Sequence, residues 1–120
     1  MPIITTFKQL GQRLLTTTED ALIYRCPNDS TVTHIKAITF TNVDANASTY
    51  NAYINQGGSQ TGDQYAIIKA RALAASAFDL FELQGDCALI LTGSTANFIV
   101  KSSRANALTV TIFGIEVETT

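Results

Sequence analysis

The last stretch of the chain, Ala105 to Val117, reads A-N-A-L-T-V-T-I-F-G-I-E-V and constrains the fold more than any other. Leu108, Val110 and Ile112 alternate with Thr109 and Thr111, the period of two that belongs to a β-strand with one apolar face and one hydroxyl face. After Ile112 the apolar phase slips, because Phe113 and Gly114 intervene before Ile115 and Val117 resume it. A glycine at such a slip predicts a β-bulge in this strand. A long, bent strand needs partners on both edges and an apolar layer over one face, so the rest of the chain is expected to be β-structure that supplies them.

Taken in order, the remaining segments fit that demand. Residues 1–6 read as an extended lead-in. Phe7 to Thr18 has apolar residues at 7, 10, 14 and 15, a spacing that suits a short helix or a strand, and Gly11 with the threonine run 16–18 favours the extended form. Ala21 to Cys26 is a compact strand stopped by Pro27, and Asn28-Asp29-Ser30 forms the turn after it. Thr31 to Asn42 is a long strand whose phase shifts between Ile35 and Ile38, which predicts a bulge near Lys36-Ala37. A polar turn at 42–47 leads to Ser48–Asn55, with Tyr50, Ala52 and Ile54 on one face. The glycine-rich segment Gln56 to Gln64 is long for a hairpin loop and too short to separate domains.

Strands are then expected at Tyr65–Leu73, Phe78–Leu83, Cys87–Thr92 and Asn97–Ser102, separated by turns at Ala74–Ser76, Gln84–Asp86, Gly93–Thr95 and Ser103–Asn106. Short strands with turn signals about every 8 to 12 residues indicate an all-β domain, a two-sheet antiparallel β-sandwich or a barrel. The reading adopted is one β-sandwich of about eight strands over residues 1–120, with an extended N-terminal segment. Jelly-roll and immunoglobulin-like wirings share this strand pattern, and both fit.

A chain of 120 residues buries roughly two-thirds of its unfolded surface, so neither a metal nor a disulfide staple is required. Charged residues make up 15%, against roughly 25% in an average soluble protein. Either part of the surface is covered by something else, or threonine, serine and asparagine replace the usual charges. Net charge is −2, and the eight basic residues are scattered singly, so the footprint of a phosphate-backbone binder is absent. No apolar run approaches the ~18 residues of a membrane span, and the N-terminus has no signal-peptide pattern. Synthesis in a cytoplasm is expected, and in that reducing setting Cys26 and Cys87 are read as free buried thiols.

Searches for chemistry find little. His34 is the only imidazole and lies mid-strand without a cysteine nearby, so metal-ligand spacing is missing and any catalytic triad would have to use it. The six aspartates and four glutamates are dispersed. Asp44-Ala45-Asn46-Ala47-Ser48 lacks the glycine and the terminal glutamate of a calcium loop. Gly57-Gly58 lacks the lysine of a phosphate loop. Asn28-Asp29-Ser30 and Asn46-Ala47-Ser48 match glycosylation acceptors, which matter only in a secreted eukaryotic protein. The chain is not expected to be an enzyme, and no catalytic, metal or cofactor-binding residue is assigned.

The strands also carry a resemblance. Ala21-Leu22-Ile23-Tyr24-Arg25-Cys26-Pro27 followed by Val32 through Ile38-Thr39-Phe40-Thr41-Asn42, Leu73-Ala74-Ala75 before Phe78-Asp79-Leu80, and the ending Thr109 to Val117 with its glycine-x-glutamate resemble small β-sandwich structural proteins of tailed-bacteriophage virions. The likeness covers roughly residues 14–117. Family members often have glycine after the leucine-alanine-alanine turn, where this chain has Ser76. The resemblance implies a virion protein made in the host cytoplasm: a capsid decoration (cement) protein that binds the major capsid protein or another virion protein and stabilises the phage head. It also implies a homo-oligomer, with a trimer favoured, and no nucleic-acid or membrane partner. A separate arm, residues 1–12, is expected to make the partner contact through Ile3, Ile4, Phe7 and Leu10. The alternative is a tail, neck or fibre-associated sandwich with receptor or carbohydrate binding, for which Tyr53 and Tyr65, flanking the glycine-rich loop, are the candidate platforms.

Overall fold

A computed structural model describes residues 3–58, 62–84 and 88–119, with side chains described for 8–58, 62–84 and 88–118. Its centre is the terminal strand. β9 (Leu108–Thr119) pairs along its length with β1 (Ile3–Leu15) on one edge and with β3 (Thr31–Asn42) on the other. β3 in turn pairs with β6 (Phe78–Glu82) through residues 37–41 and with β7 (Leu89–Thr92) through residues 32–35. β6 and β7 are therefore two halves of one interrupted strand line. The second sheet runs β2 (Ala21–Arg25), β8 (Asn97–Ser102), β4 (Ser48–Asn55), β5 (Ala66–Leu73), and every pairing in both sheets is antiparallel.

The pairs nest: first strand with last, second with eighth, third with the β6/β7 line, fourth with fifth. This is a hairpin of hairpins rolled into two sheets, the wiring of a jelly roll. An immunoglobulin-like sandwich would place the first two strands side by side in one sheet. Here β1 and β2 lie in different sheets, so the choice left open by the strand pattern falls to the jelly roll.

Inward-facing residues of both sheets fill the core. Ile35, Ile38, Phe40, Leu91, Leu108, Val110 and Ile112 of one sheet meet Tyr24, Tyr50, Ala52, Phe98 and Val100 of the other. Phe40 stacks on Tyr50 with ring centroids 4.2 Å apart, and Phe81 meets Phe40 edge-on at 5.9 Å. Both geometries suit the aromatic quadrupole. Cys26 is a buried free thiol whose Sγ lies 3.1 Å from the Thr31 carbonyl oxygen. Cys87 and the Gly85-Asp86 turn lie outside the described residues, as do 59–61 of the glycine-rich loop. What is described of that segment includes a short 3-10 turn at Asp63–Tyr65, so β5 begins at Ala66 and not at Tyr65.

The bulge expected at Lys36-Ala37 is present in β3. The one expected within β9 is not. Pairing against both neighbours shows the extra residues to be Leu10 in β1, opposite Ile112-Phe113, and Lys36 in β3, opposite Phe113-Gly114, while β9 itself runs unbroken. β9 keeps its alternation while its apolar residues change sides: Ile112 points into the core, and Ile115 and Val117 point outward, because the inner face at that end holds Gly114 and Glu116. Gly114 is there for space. A Cβ on it would collide with the His34 carbonyl and lie 2.9 Å from Leu10 Cδ1. Ser76, by contrast, adopts a φ of 59°, so the turn after Leu73-Ala74-Ala75 keeps the left-handed residue that glycine would supply.

Candidate interaction surfaces

Two polar clasps join the sheets. In the first, the Tyr24 hydroxyl of β2 meets Thr33 Oγ1 of β3 at 2.8 Å and donates to Glu116 Oε2 of β9, while Lys8 Nζ of β1 lies 2.6 Å from Glu116 Oε1. In the second, the Tyr50 hydroxyl of β4 donates to Asp79 Oδ2 of β6 at 2.6 Å, and Arg71 Nε of β5 donates to the same oxygen at 2.8 Å. The Arg71 guanidinium also sits 5.3 Å from the centre of the Phe81 ring. Burial, together with the carboxylate beside each phenol, raises the pKa of both tyrosines, so they stay protonated donors. Burial alone would raise Glu116, yet Lys8 and the Tyr24 hydroxyl hold it below the usual carboxylate range. Arg71 does the same for Asp79, chiefly through its hydrogen bond. Each carboxylate is thus committed to bonds between strands, which makes both clasps structural.

Beside the second clasp the sandwich stays open. Between the edge strands β5 and β6 lies a cleft of about 220 Å³ lined by Ile38, Ile67, Ile68, Phe81, Leu83 and Leu89. The opposite side, between β1 and β2, is shut. Gly11 packs so closely that an added Cβ would stand 2.8 Å from the Ile23 carbonyl oxygen, and Arg13 Nη1 donates to the Leu22 carbonyl at 2.9 Å.

The outer faces of the two sheets differ in charge. In the five-stranded sheet the register aligns Leu14, Thr109, Thr41 and Phe78 in one row and Gln12, Thr111, Thr39 and Leu80 in the next. Further along come Phe113, Ala37 and Glu82, then Ile115, His34 and Ile90, then Val117, Val32 and Thr92. Glu82 is the one charged residue in these rows, and Lys36, the extra residue of β3, stands beside Ala37 next to it. The outer face of the four-stranded sheet instead carries Arg25 beside Asn97 and Lys101 beside Asn51.

The residues singled out from the sequence fall as follows. Ile3, Ile4 and Phe7 pair through their backbones with Thr119, Glu118 and Ile115 of β9, and their side chains lie outside the described ones. Leu10 is the bulge residue of β1 and packs against the core. β1 runs unbroken to Leu15, so no structural boundary falls at residue 12. His34 sits on the outer face between Ile90 and Ile115, with no carboxylate in its row. Tyr53, expected to be an exposed platform, is buried at 3%: it alternates to the outer face of its sheet opposite Ile99, which is buried there too, and neither belongs to the core between the sheets. Asp44 is held by Arg104 Nε at 2.9 Å and by the Ala45 amide, as a turn residue. The clasps escaped sequence reading, since Tyr24 and Glu116 are far apart in the chain and no local pattern links them.

No protein-family model matches the chain, and no curated protein matches it in sequence. Solved structures match it in fold. The tobacco streak virus coat protein aligns with a TM-score of 0.50 at 9% identity, over 99% of this chain and 88% of that one. A chain of the T13 particle of infectious bursal disease virus aligns with a TM-score of 0.49 at 10% identity, over 98% of this chain and 35% of its own length. The Gx strain of the same virus gives 0.47 at 10% identity, over 97% and 31%. This chain thus spans about a third of the infectious bursal disease virus chains it matches. What it shares with the coat protein, along nearly the whole of both chains, is the fold of an antiparallel two-sheet sandwich.

Proposed function

We propose that this chain is a non-enzymatic structural protein of a virus particle, and specifically a capsid decoration protein that binds and stabilises a phage head. The observation that carries the reading is the jelly roll itself, aligned end to end with a viral coat protein and with its half-buried carboxylates committed to clasps between strands. Fold likeness is an analogy, and the site must add to it. Charge adds the choice between lining a genome and capping a shell. A surface laid against nucleic acid needs clustered lysine and arginine, whereas this chain carries a net charge of −2 with its cations dispersed. That supports a place on the outside of the shell, against protein, as a homo-oligomer. Within this proposal Ile3, Ile4 and Phe7 contact the partner from β1, the edge strand of its sheet, and Leu10 anchors them to the core. The tail or fibre reading with a carbohydrate site has less support, since Tyr53 is buried.

The test mixes the chain with capsid shells assembled without it. Co-sedimentation at a fixed stoichiometry, with a raised melting temperature of the shells, is the expected result. A chain that stays in the supernatant across micromolar concentrations, and leaves shell melting unchanged, rules the decoration role out.

A further inference from the structure

We infer that the outer face of the five-stranded sheet is the docking surface for a second copy of this chain, closing a two-fold dimer by sheet-on-sheet packing. Of the seven large hydrophobic side chains that stand exposed among the described residues, Leu14, Phe78, Leu80 and Ile90 share this one face, and Phe78 is 67% exposed. Scattered singly they would be ordinary; gathered on one sheet they form the kind of patch that marks an interface.

Three properties select the occupant. The first is charge. The face presents mostly threonine, aliphatic and aromatic side chains, with Glu82 and, at the β3 bulge, Lys36 as charges of opposite sign, so it favours neither an acidic nor a basic partner. Its own copy matches it without like-charge repulsion. The second is shape. Sheets of β-sandwich proteins pack face to face with strands about 30° apart, and outward rows of Leu, Phe and Thr on two copies can interdigitate in the same way. The third is area. Four strand positions about 4.8 Å apart and some eight residues along β9 give a footprint on the order of 600 Å², or about 1,200 Å² across two copies, which reaches the lower bound of a specific interface. A broad face that meets itself gives an isologous, two-fold contact, whereas the trimer expected from the sequence needs two different surfaces per subunit.

The experiment is sedimentation equilibrium of the intact chain from about 1 to 200 μM without shells, compared with Leu80→Lys, Phe78→Ser and, on the opposite outer face, Lys101→Glu. The expected result is a species of twice the 12.9-kDa protomer for the parent chain and for Lys101→Glu. Leu80→Lys should be monomeric throughout, a loss of at least 100-fold in affinity, and Phe78→Ser should be weakened at least tenfold, with circular dichroism and melting temperature retained because both residues are exposed. A parent chain that is monomeric over the whole range overturns the inference, and so does any oligomer that Leu80→Lys leaves intact. If the parent is monomeric and Leu80→Lys instead abolishes binding to shells, the face belongs to the shell and not to a second copy. Since the mass measurement contains no shells, its failure leaves the decoration role standing, and failure of shell binding leaves the dimer standing.

Discussion

The two long sides of the sandwich are closed with different materials. On the β1 side it is main chain that meets main chain, with Gly11 under the Ile23 carbonyl of the other sheet, and within the five-stranded sheet Gly114 of β9 lies as tightly under the His34 carbonyl of β3 with Leu10 of β1 folded over it. On the β5/β6 side it is side chains that span the gap, with Arg71, Asp79, Tyr50 and Phe81 bridging the sheets beside an apolar cleft. Backbone carbonyls held in a ladder cannot step aside, so the first kind of closure tolerates no added atom. Side chains can change rotamer, so the second kind repacks. The fold is therefore brittle at the first kind of contact and adaptable at the second.

The largest effect should therefore come from Gly114→Val. With no room for even a Cβ against a carbonyl that is itself paired in the sheet, β9 and β3 must separate locally, and a loss on the order of 4 kcal/mol or more is expected, the exceptional range for a single substitution. Gly11→Ala should cost less, about 1 to 3 kcal/mol, because the contact at 2.8 Å lies between sheets that can shift slightly. Urea unfolding reads both. A loss below ~1 kcal/mol for Gly11→Ala would mean that the β1 side is not sealed by main chain, and the same for Gly114→Val would mean that β9 and β3 can part there at little cost.

On the other side, Asp79→Ala removes the acceptor of both Tyr50 and Arg71. Net contributions of hydrogen bonds to charged groups are roughly 1.5 to 3 kcal/mol, and partial exposure of this site brings the expected loss to about 1 to 2 kcal/mol. The same clasps predict how stability follows pH. Asp79 and Glu116 are both held below the ordinary carboxylate range in the folded protein. A carboxyl with a depressed folded pKa contributes stability above its unfolded pKa and loses that contribution as pH falls through the folded value. The unfolding midpoint should hold between pH 7 and about 5 and drop below it, and Asp79→Ala should drop less steeply than the parent. Equal slopes would mean that the β5/β6 clasp is not formed in solution.

Much of this was legible in the chain, and what escaped did so for definite reasons. β3, β4 and β8 begin and end where their alternation and flanking turn residues place them, because those signals are local. So is the β3 bulge, which shows as a phase shift in its own strand. The same sign misled in β9. Its apolar residues change faces without any extra residue, since the inner face at that end is occupied by a glycine and by a glutamate bound to Tyr24, and the bulges sit in the two neighbours. The nested wiring could not be read at all, for it joins first strand to last and leaves no local trace. Tyr53 was misplaced for a related reason: alternation puts it on the outer face as expected, but it is buried there opposite Ile99 of β8, and no local pattern shows that. The sparsely charged outer face was present in the sequence only as a low overall charge, and it took the register to show how few of the charges fall on that side.

Ile67→Ala should cost the least of these substitutions. Ile67 lines the cleft and is 41% exposed, on an edge strand whose neighbour across the gap is reached only through side chains. Truncation to alanine leaves its surroundings already half in water, so no sealed cavity forms, and Ile68 and Phe81 can close over the space. The transfer part alone, scaled to the area still buried, leaves a loss below about 1 kcal/mol, whereas a fully enclosed isoleucine such as Ile112 falls in the range of about 2 to 5 kcal/mol. Measured by the same urea unfolding, Ile67→Ala within that small limit would confirm that the β5/β6 side is loosely packed and free to adapt. A loss as large as that of an enclosed core residue would mean that the cleft is filled in solution, and the two sides of the sandwich would then be sealed alike.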